Sequence, residues 1–298
     1  MKKILILLFI FIVLFPSLNT QAYEIDIEVG NNFGEIEYTS SINGSNSNIK
    51  STLPLNTSLL QVNFNQYIFK DWADYYSASI GSNLFNKDTK EGKIINYTNN
   101  MNNKQGKLIG ETNLESLYLD FLLANYLLEY STPKQSYLIL IGYEYDNYIH
   151  SINNGTYYDY SNDTQNSTNG KIGHHKTRYH IPYLGMILNR NINKTFKNRL
   201  IFKFSPYAFT ETSANNYYED YTIESTENGN YFSLKNKTRY HFRENIYFTG
   251  GVQYKRLNTK GSGERYYYDG SNQGTNQDIQ VNTLTEEYNL SIGIEYLF

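Results

Sequence analysis

Side chains whose type and spacing could do chemistry are sparse in this chain. Cysteine is absent, so no thiolate can serve as nucleophile or metal ligand and disulfides do not hold the fold together. His174 and His175 in "GHHK" read as solvated loop residues, because a zinc site asks for about four ligands and no others follow at suitable spacing. "GSGER" at 261–265 is a loop glycine cluster with no phosphate-binding helix after it. Acid–base hydrolysis needs a carboxylate and a base such as histidine brought together. Yet no aspartate occurs from 89 to 119 and no histidine from 181 to 240. The densest charged array lies in "NYFSLKNKTRYHF", where Ser233, Lys235, Lys237, Arg239 and His241 alternate with Phe232, Leu234, Thr238, Tyr240 and Phe242. Three permanent cations on one strand face do not fit a dry core. They fit a wet lumen, where Lys235, Lys237, Arg239 and Glu295 pair with opposite charges.

Such a lumen requires strands, and period-two segments recur throughout. They place strands at 24–38, 57–68, 74–84, 115–127, 136–150, 177–190, 198–211, 230–242, 246–257 and 284–298. In the last, Tyr288, Leu290, Ile292, Ile294, Tyr296 and Phe298 share one face, since alternate side chains of a strand point to opposite sides. A 3.6-residue pattern is largely missing; "LYLDFLLANYLLEY" is the one ambiguous run. Connections alternate between short ("FKDWAD", "EYSTPKQS", "NINKTFKN", "HFREN") and long (40–56, 85–114, 151–176, 212–229, 258–283), the latter rich in Asn, Ser, Gly, Thr and Tyr. That rhythm separates periplasmic turns from extracellular loops. The expected fold is therefore all-β: a ten-stranded antiparallel transmembrane β-barrel with long extracellular loops and short periplasmic turns.

The rest of the composition agrees. "MKKILILLFIFIVLFPSLNTQA" has the charged start, short apolar run and small final residue of a secretory signal peptide, giving a leader over 1–22 and a barrel over 23–298. No later stretch approaches the roughly eighteen apolar residues of a transmembrane helix. Tyrosines number 31 against 16 phenylalanines, and tyrosine suits a membrane interface because one end is apolar and the other wet. A net charge of −3 gives no reason to expect nucleic acid as a partner. A strand ending in an aromatic residue, "IGIEYLF", looks like the assembly signal read by the barrel assembly machinery of a Gram-negative-type outer membrane.

Several strings in collinear order resemble the omptins, outer-membrane aspartate-type proteases. "LLANYLLEYSTPKQSYLILIGYEYDNY" is similar to their fourth and fifth strands, "TRYHIPYLGMIL" to the sixth, "FKFSPYAF" to the seventh and "IDIEVG" to the start of the first. The resemblance implies a catalytic set at the outer end of the barrel, an Asp-x-Asp pair facing an Asp-x-His dyad that activates water. Here the four positions hold Asn96, Thr98, Ala214 and Asn216, so the resemblance implies a barrel without the protease set, similar to non-catalytic relatives such as the protochlamydial outer-membrane protein family. Its role would be surface binding, adhesion or structure. An active endopeptidase with a displaced set is the alternative, and "KDWADYY" mimics an Asp-Trp-x-Asp string of the family. Asp71, Asp74, Asp146 and His150 are its candidates, although Asp71 and Asp74 fall in a short-turn region where Trp72 reads as an interface anchor. A small porin-like channel is the third reading. Omptins also bind lipopolysaccharide on the outer wall; Tyr143 and Arg178 match that pattern, while Tyr145 and Asn147 stand where an acid and an arginine are expected. Outer-membrane lipid, lipopolysaccharide and an extracellular ligand are thus the implied partners. No cofactor or metal is implied.

Overall fold

The structure, a computed structural model, describes residues 23–43, 48–70, 73–84, 90–98, 103–127, 131–132, 134–269 and 273–298. The leader expected over 1–22 lies outside them. Twelve strand segments form one antiparallel sheet: β1 (Tyr23–Ile42), β2 (Asn48–Pro54), β3 (Thr57–Lys70), β4 (Ala73–Asn83), β5 (Lys90–Thr98), β6 (Asn103–Tyr126), β7 (Gln135–Asp159), β8 (Thr164–Asn191), β9 (Phe196–Asn216), β10 (Tyr221–Arg243), β11 (Ile246–Tyr267) and β12 (Asn276–Leu297).

Two pairs of segments lie end to end. β2 and β3 keep one register against β1, with Glu35 opposite Pro54 and Asn32 opposite Thr57. β4 and β5 both pair with β6, one beyond the other. Ten strands therefore surround the lumen at either end. The wall closes where β1 pairs with β12 from Glu24–Leu297 through Ile42–Ile279. Closure pairs the first and last strands of the sheet, the two that would otherwise be its edges. At the seam the Phe298 amide donates to the Tyr23 carbonyl (2.9 Å) and the two rings stack 4.5 Å apart.

The ambiguous apolar run is strand β6 as far as Tyr126, with Phe121 and Leu123 exposed and Leu122 and Ala124 buried; residues 128–130 lie outside the described ones. A belt of outward apolar side chains surrounds the end with the short turns. Ile27 and Val29 on β1, Ile139 and Ile141 on β7, Phe202 and Phe204 on β9, Phe248 and Val252 on β11, and Ile292 and Ile294 on β12 belong to it. This is the period-two prediction carried out: each strand turns its apolar positions to the lipid.

The other end departs from expectation. Most of the long stretches expected as loops are strand. The wall continues through β2 and β5, and the hairpins β7–β8, β9–β10 and β11–β12 rise well past the belt before turning. The β7–β8 hairpin turns at Tyr160–Asp163, where Asp159 accepts the Ser161 and Asn162 amides. Asn, Ser and Thr tolerate such strands because the ladder supplies their backbone hydrogen bonds, whatever the side chains prefer.

Candidate functional site

Inside the belt the inward positions are charged. Glu24, Asp26 and Glu28 alternate inward along β1, across the lumen from Lys235, Lys237 and Arg239 on β10. Lys237 reaches Asp26 (2.5 Å) and Glu28 (3.0 Å), Lys235 reaches Glu28 (3.2 Å), and Arg239 pairs with Glu24 (3.1 Å) and Glu295. The cationic face expected in a lumen is there, with the expected counter-charges. One layer further out, Lys203 on β9 bridges Asp120 (2.6 Å) and Glu144 (2.8 Å), while Lys255 on β11 joins Glu144 (2.7 Å) to Asp146 (3.4 Å). Tyrosines complete this layer: Tyr183 donates to Asp120 (2.5 Å), Tyr231 to Glu144 (3.0 Å) and Tyr148 to Glu287 (2.7 Å). Tyr183 lies over Gly142, where a β-carbon would stand 2.4 Å from its ring, so a side chain at 142 would displace it.

Above this lies a layer of hydroxyls. Glu227 on β10 accepts from Thr259 and Thr283 at 2.9 Å and from Thr212 and Ser225 at 3.5 Å. Beyond it the lumen becomes apolar. Tyr38, Ile49, Tyr221, Ile223, Ile279 and Val281 form one buried cluster, with Ile94 and Ala214 packed against it. Leu53, Leu114, Ile152 and Ile172 belong to the adjoining one.

The four positions matching the omptin catalytic set fall at this apolar end. Ala214 and Asn216 lie on β9. Ala214 packs on the cluster, and Asn216 is used by its own turn: its side-chain oxygen accepts the Tyr218 (3.0 Å) and Glu219 (3.1 Å) amides and its nitrogen donates to Glu219 (3.1 Å). Asn96 and Thr98 are placed by backbone only, on β5, with Asn96 opposite Ile49 and Gly106. Ile94, two residues earlier on β5, lines the same gap as Ala214 and Asn216, so β5 and β9 confront each other across the upper lumen.

Of the displaced set, the three described residues Asp74, Asp146 and His150 are not brought together. Asp71, and Trp72 beside it, lie outside the described residues. Asp74 sits at the short-turn end of β4, where its carboxylate accepts the Tyr126 amide (2.7 Å). Asp146 is held by Lys255 within the charged lumen. His150 lies four residues farther along the same strand, roughly 13 Å at the rise of a β-strand, with Nε2 against the Pro54 carbonyl (2.9 Å). On the outer wall Tyr143 and Arg178 point away from the lumen. Tyr143 bonds His180 Nδ1 (2.6 Å), and Arg178 pairs with Glu211 (3.0 Å).

Two features escaped the sequence reading. The stripe Glu24, Asp26, Glu28 in "EIDIE" is the alternating counterpart of "KNKTR", but strand spacing alone does not say that β1 and β10 face each other. The histidines of "GHHK" are not solvated: His175 is only 4% exposed and His174 is half-buried. The bulged β7–β8 ladder turns this part of β8 inward, where His175 pairs in register with His150.

The Omptin family model matches residues 111–298. No curated protein sequence matches. Among solved structures, the outer-membrane protease OmpT of Escherichia coli superposes with a TM-score of 0.76 at 17% identity, covering 95% of this chain and 99% of that one. The outer-membrane protein OprG of Pseudomonas aeruginosa (TM-score 0.38, 12% identity, 94% and 96% covered) and the attachment invasion protein Ail of Yersinia pestis (0.32, 8%, 93% and 99%) are more distant. With the family's sequence pattern over more than half its length and a closed ten-stranded wall of the same fold, the chain belongs to the omptin family and is an outer-membrane β-barrel of the Gram-negative type.

Proposed function

We propose that this chain is a non-proteolytic omptin-family barrel that acts by binding at the cell surface, through the strands and turns beyond the lipid belt. The observation that carries this reading is the apolar seal. Where hydrolysis calls for carboxylates and a histidine around a water, Ala214 meets Tyr38, Ile49 and Ile223, and Asn216 is committed to its own turn. Neither an alanine nor an asparagine can take a proton from water at a useful rate. The external turns carry the exposed Tyr160 and Tyr217, and the outer end of β11 the exposed Tyr266, amid Asn, Ser and Gly. That composition supplies rigid aromatic contact area and adaptable hydrogen bonds. On the wall just above the belt, Tyr143 and Arg178 serve lipid contact, a weaker version of headgroup binding because Glu211 already uses the Arg178 charge.

The test is direct. The full barrel, purified in detergent with lipopolysaccharide, is incubated with dibasic peptides, and no cleavage is expected. Cleavage that disappears in Asp71→Asn would overturn the proposal and restore the displaced-set reading.

A further inference from the structure

We propose that His150 and His175 make the outer cap of this barrel an acid-sensitive latch, closed at neutral pH and released when both rings take up protons. The two residues are register partners on β7 and β8, both facing the lumen, which puts their β-carbons about 5 Å apart. Both are buried. His150 Nε2 is engaged by the Pro54 carbonyl (2.9 Å), while His175 Nδ1 lies 3.2 Å from the Thr177 hydroxyl. The remaining ring nitrogens, His150 Nδ1 and His175 Nε2, have no hydrogen-bond partner among the described residues, and neither has His174 Nδ1 beside them.

What faces these rings decides the sign. β1 contributes Tyr38, whose ring meets His175 edge-on at 5.4 Å. β2 contributes Ser51 and Leu53, β5 Ile94, β9 Ala214 and Asn216, and β10 Tyr221 and Ile223. β6 places Leu114 opposite His150. The nearby charges are cationic or remote. Lys171 and Lys176 flank His174, Glu115 acts on His174 alone, and Arg265 lies over Tyr221 (5.1 Å) with Ser40 as its partner. Glu227 is tied up by hydroxyls in the layer below. Among the described residues no carboxylate bears on either ring, so a proton there has no counter-charge and must be solvated by opening. Among the described residues no three His, Cys, Asp or Glu side chains are grouped to hold a metal ion.

The wall above the pair is built to give way. Register shifts at Ile152/Asn153 and Asn153/Gly155 interrupt the β7–β8 ladder immediately past His150 and His175. Asn154 (φ 45°) and Gly170 (φ 90°) stand in left-handed conformations there, joined by the Gly170 amide donating to the Asn154 side chain (3.0 Å). Past the bulge β7 still pairs with β6, from Gly155 opposite Gly110 to Asp159 opposite Gly106, so release of the cap opens that short outer ladder while the regular ladder below stays paired.

Burial pushes His150 down to about 4 and His175 down to about 3, against about 6.5 for a solvated ring. Closure is favoured above pH 6.5 and loses ground as pH falls, because the open form binds protons that the closed form cannot. Between pH 6.5 and about 4 each histidine raises the open-to-closed ratio about tenfold per pH unit, and the two together about a hundredfold.

Hydrogen exchange by mass spectrometry on the full barrel in detergent, corrected for intrinsic rates from pH 7.5 to 4.5, tests this. Peptides spanning 152–172 and 217–223 should lose protection about a hundredfold per pH unit below 6.5 while belt peptides spanning 137–143 and 200–205 keep theirs. His150→Gln with His175→Gln should hold the cap closed at pH 4.5. If the double variant does not fold, His175→Gln alone should reduce the slope to about tenfold per unit. In the wild type, two of the five histidine ring resonances should stay neutral until protection is lost. Unchanged protection at pH 4.5, or the same acid response in the variants, would overturn the latch.

Discussion

Follow the even-numbered residues of β1, and the contents of the lumen change while the backbone does not. Glu24, Asp26 and Glu28 point inward at the level of the belt, and Ile36 and Tyr38 point inward on the same face farther out. β12 repeats this in the other direction, with Ile279 and Val281 inward at the outer end, then Thr283 and Thr285, then Glu287 and Glu295. On β10 the inward series runs from Tyr221 and Ile223 through Glu227 to Lys237 and Arg239. On these three strands the alternation does not slip, but its polarity inverts. In the belt the outer solvent is lipid, so apolar side chains go out and charges pair inside. Beyond it the outer solvent is water, and the same wall behaves as a soluble β-structure with an apolar interior.

The two fillings should fail differently, and the charged layer should fail harder. Lys203 is the only cation touching Asp120 among the described ion pairs, and it shares Glu144 with Lys255. Lys203→Met keeps the bulk but leaves a buried carboxylate uncompensated, which costs about 3–5 kcal/mol. Urea unfolding in detergent micelles should show that loss. Adding Asp120→Asn should recover most of it, since Glu144 then retains Lys255. If Lys203→Met alone were neutral, the charged layer would be hydrated space-filling rather than a matched network.

The apolar layer should respond to volume and not to charge. Ile279 is fully buried in it. Ile279→Val removes one methylene and should cost about 0.5–1.5 kcal/mol. The loss should be the same in low and high salt, whereas any residual penalty of Lys203→Met should change with ionic strength. A salt-dependent Ile279→Val would mean that the outer lumen is wetter than its packing suggests.

The inversion also explains how much could be read in advance. In the belt, period-two segments such as 284–298 were legible because one face must be apolar over its full length. The facing cations of "KNKTR" were legible as lumen residues for the same reason. The strands above the belt were lost where the polarity changes phase. At Glu227 and Thr283 an apolar-outward pattern stops, and from sequence that looks like the end of a strand. The stretch 151–176 was hidden further by its bulges, which put Ile172 and Gly173 both inward and break simple alternation. His174 and His175 therefore read as loop residues. The four positions matching the catalytic set were legible as residue types, but not the apolar packing that surrounds two of them.

The smallest effect is expected where the family resemblance would suggest the largest. Restoring the four side chains with Asn96→Asp, Thr98→Asp, Ala214→Asp and Asn216→His should not create a protease. An aspartate at 214 would enter the cluster of Tyr38, Ile49 and Ile223, where the buried Arg265, two strands away on β11, already lies over Tyr221 and donates to Ser40, and a buried carboxyl without a dedicated partner takes up a proton rather than polarise water. A histidine at 216 would also lose the Asn216 bonds to the Tyr218 and Glu219 amides that shape the turn. Catalysis depends on carboxylates and imidazole held in a solvated, pre-organised geometry, and the outer lumen here is packed mainly with apolar side chains around one buried cation, Arg265. The quadruple variant should therefore leave dibasic peptides uncleaved while losing protection at the β9–β10 turn in hydrogen exchange. Measurable cleavage by that variant would show that the apolar seal yields readily, and that only four side chains separate this barrel from protease chemistry.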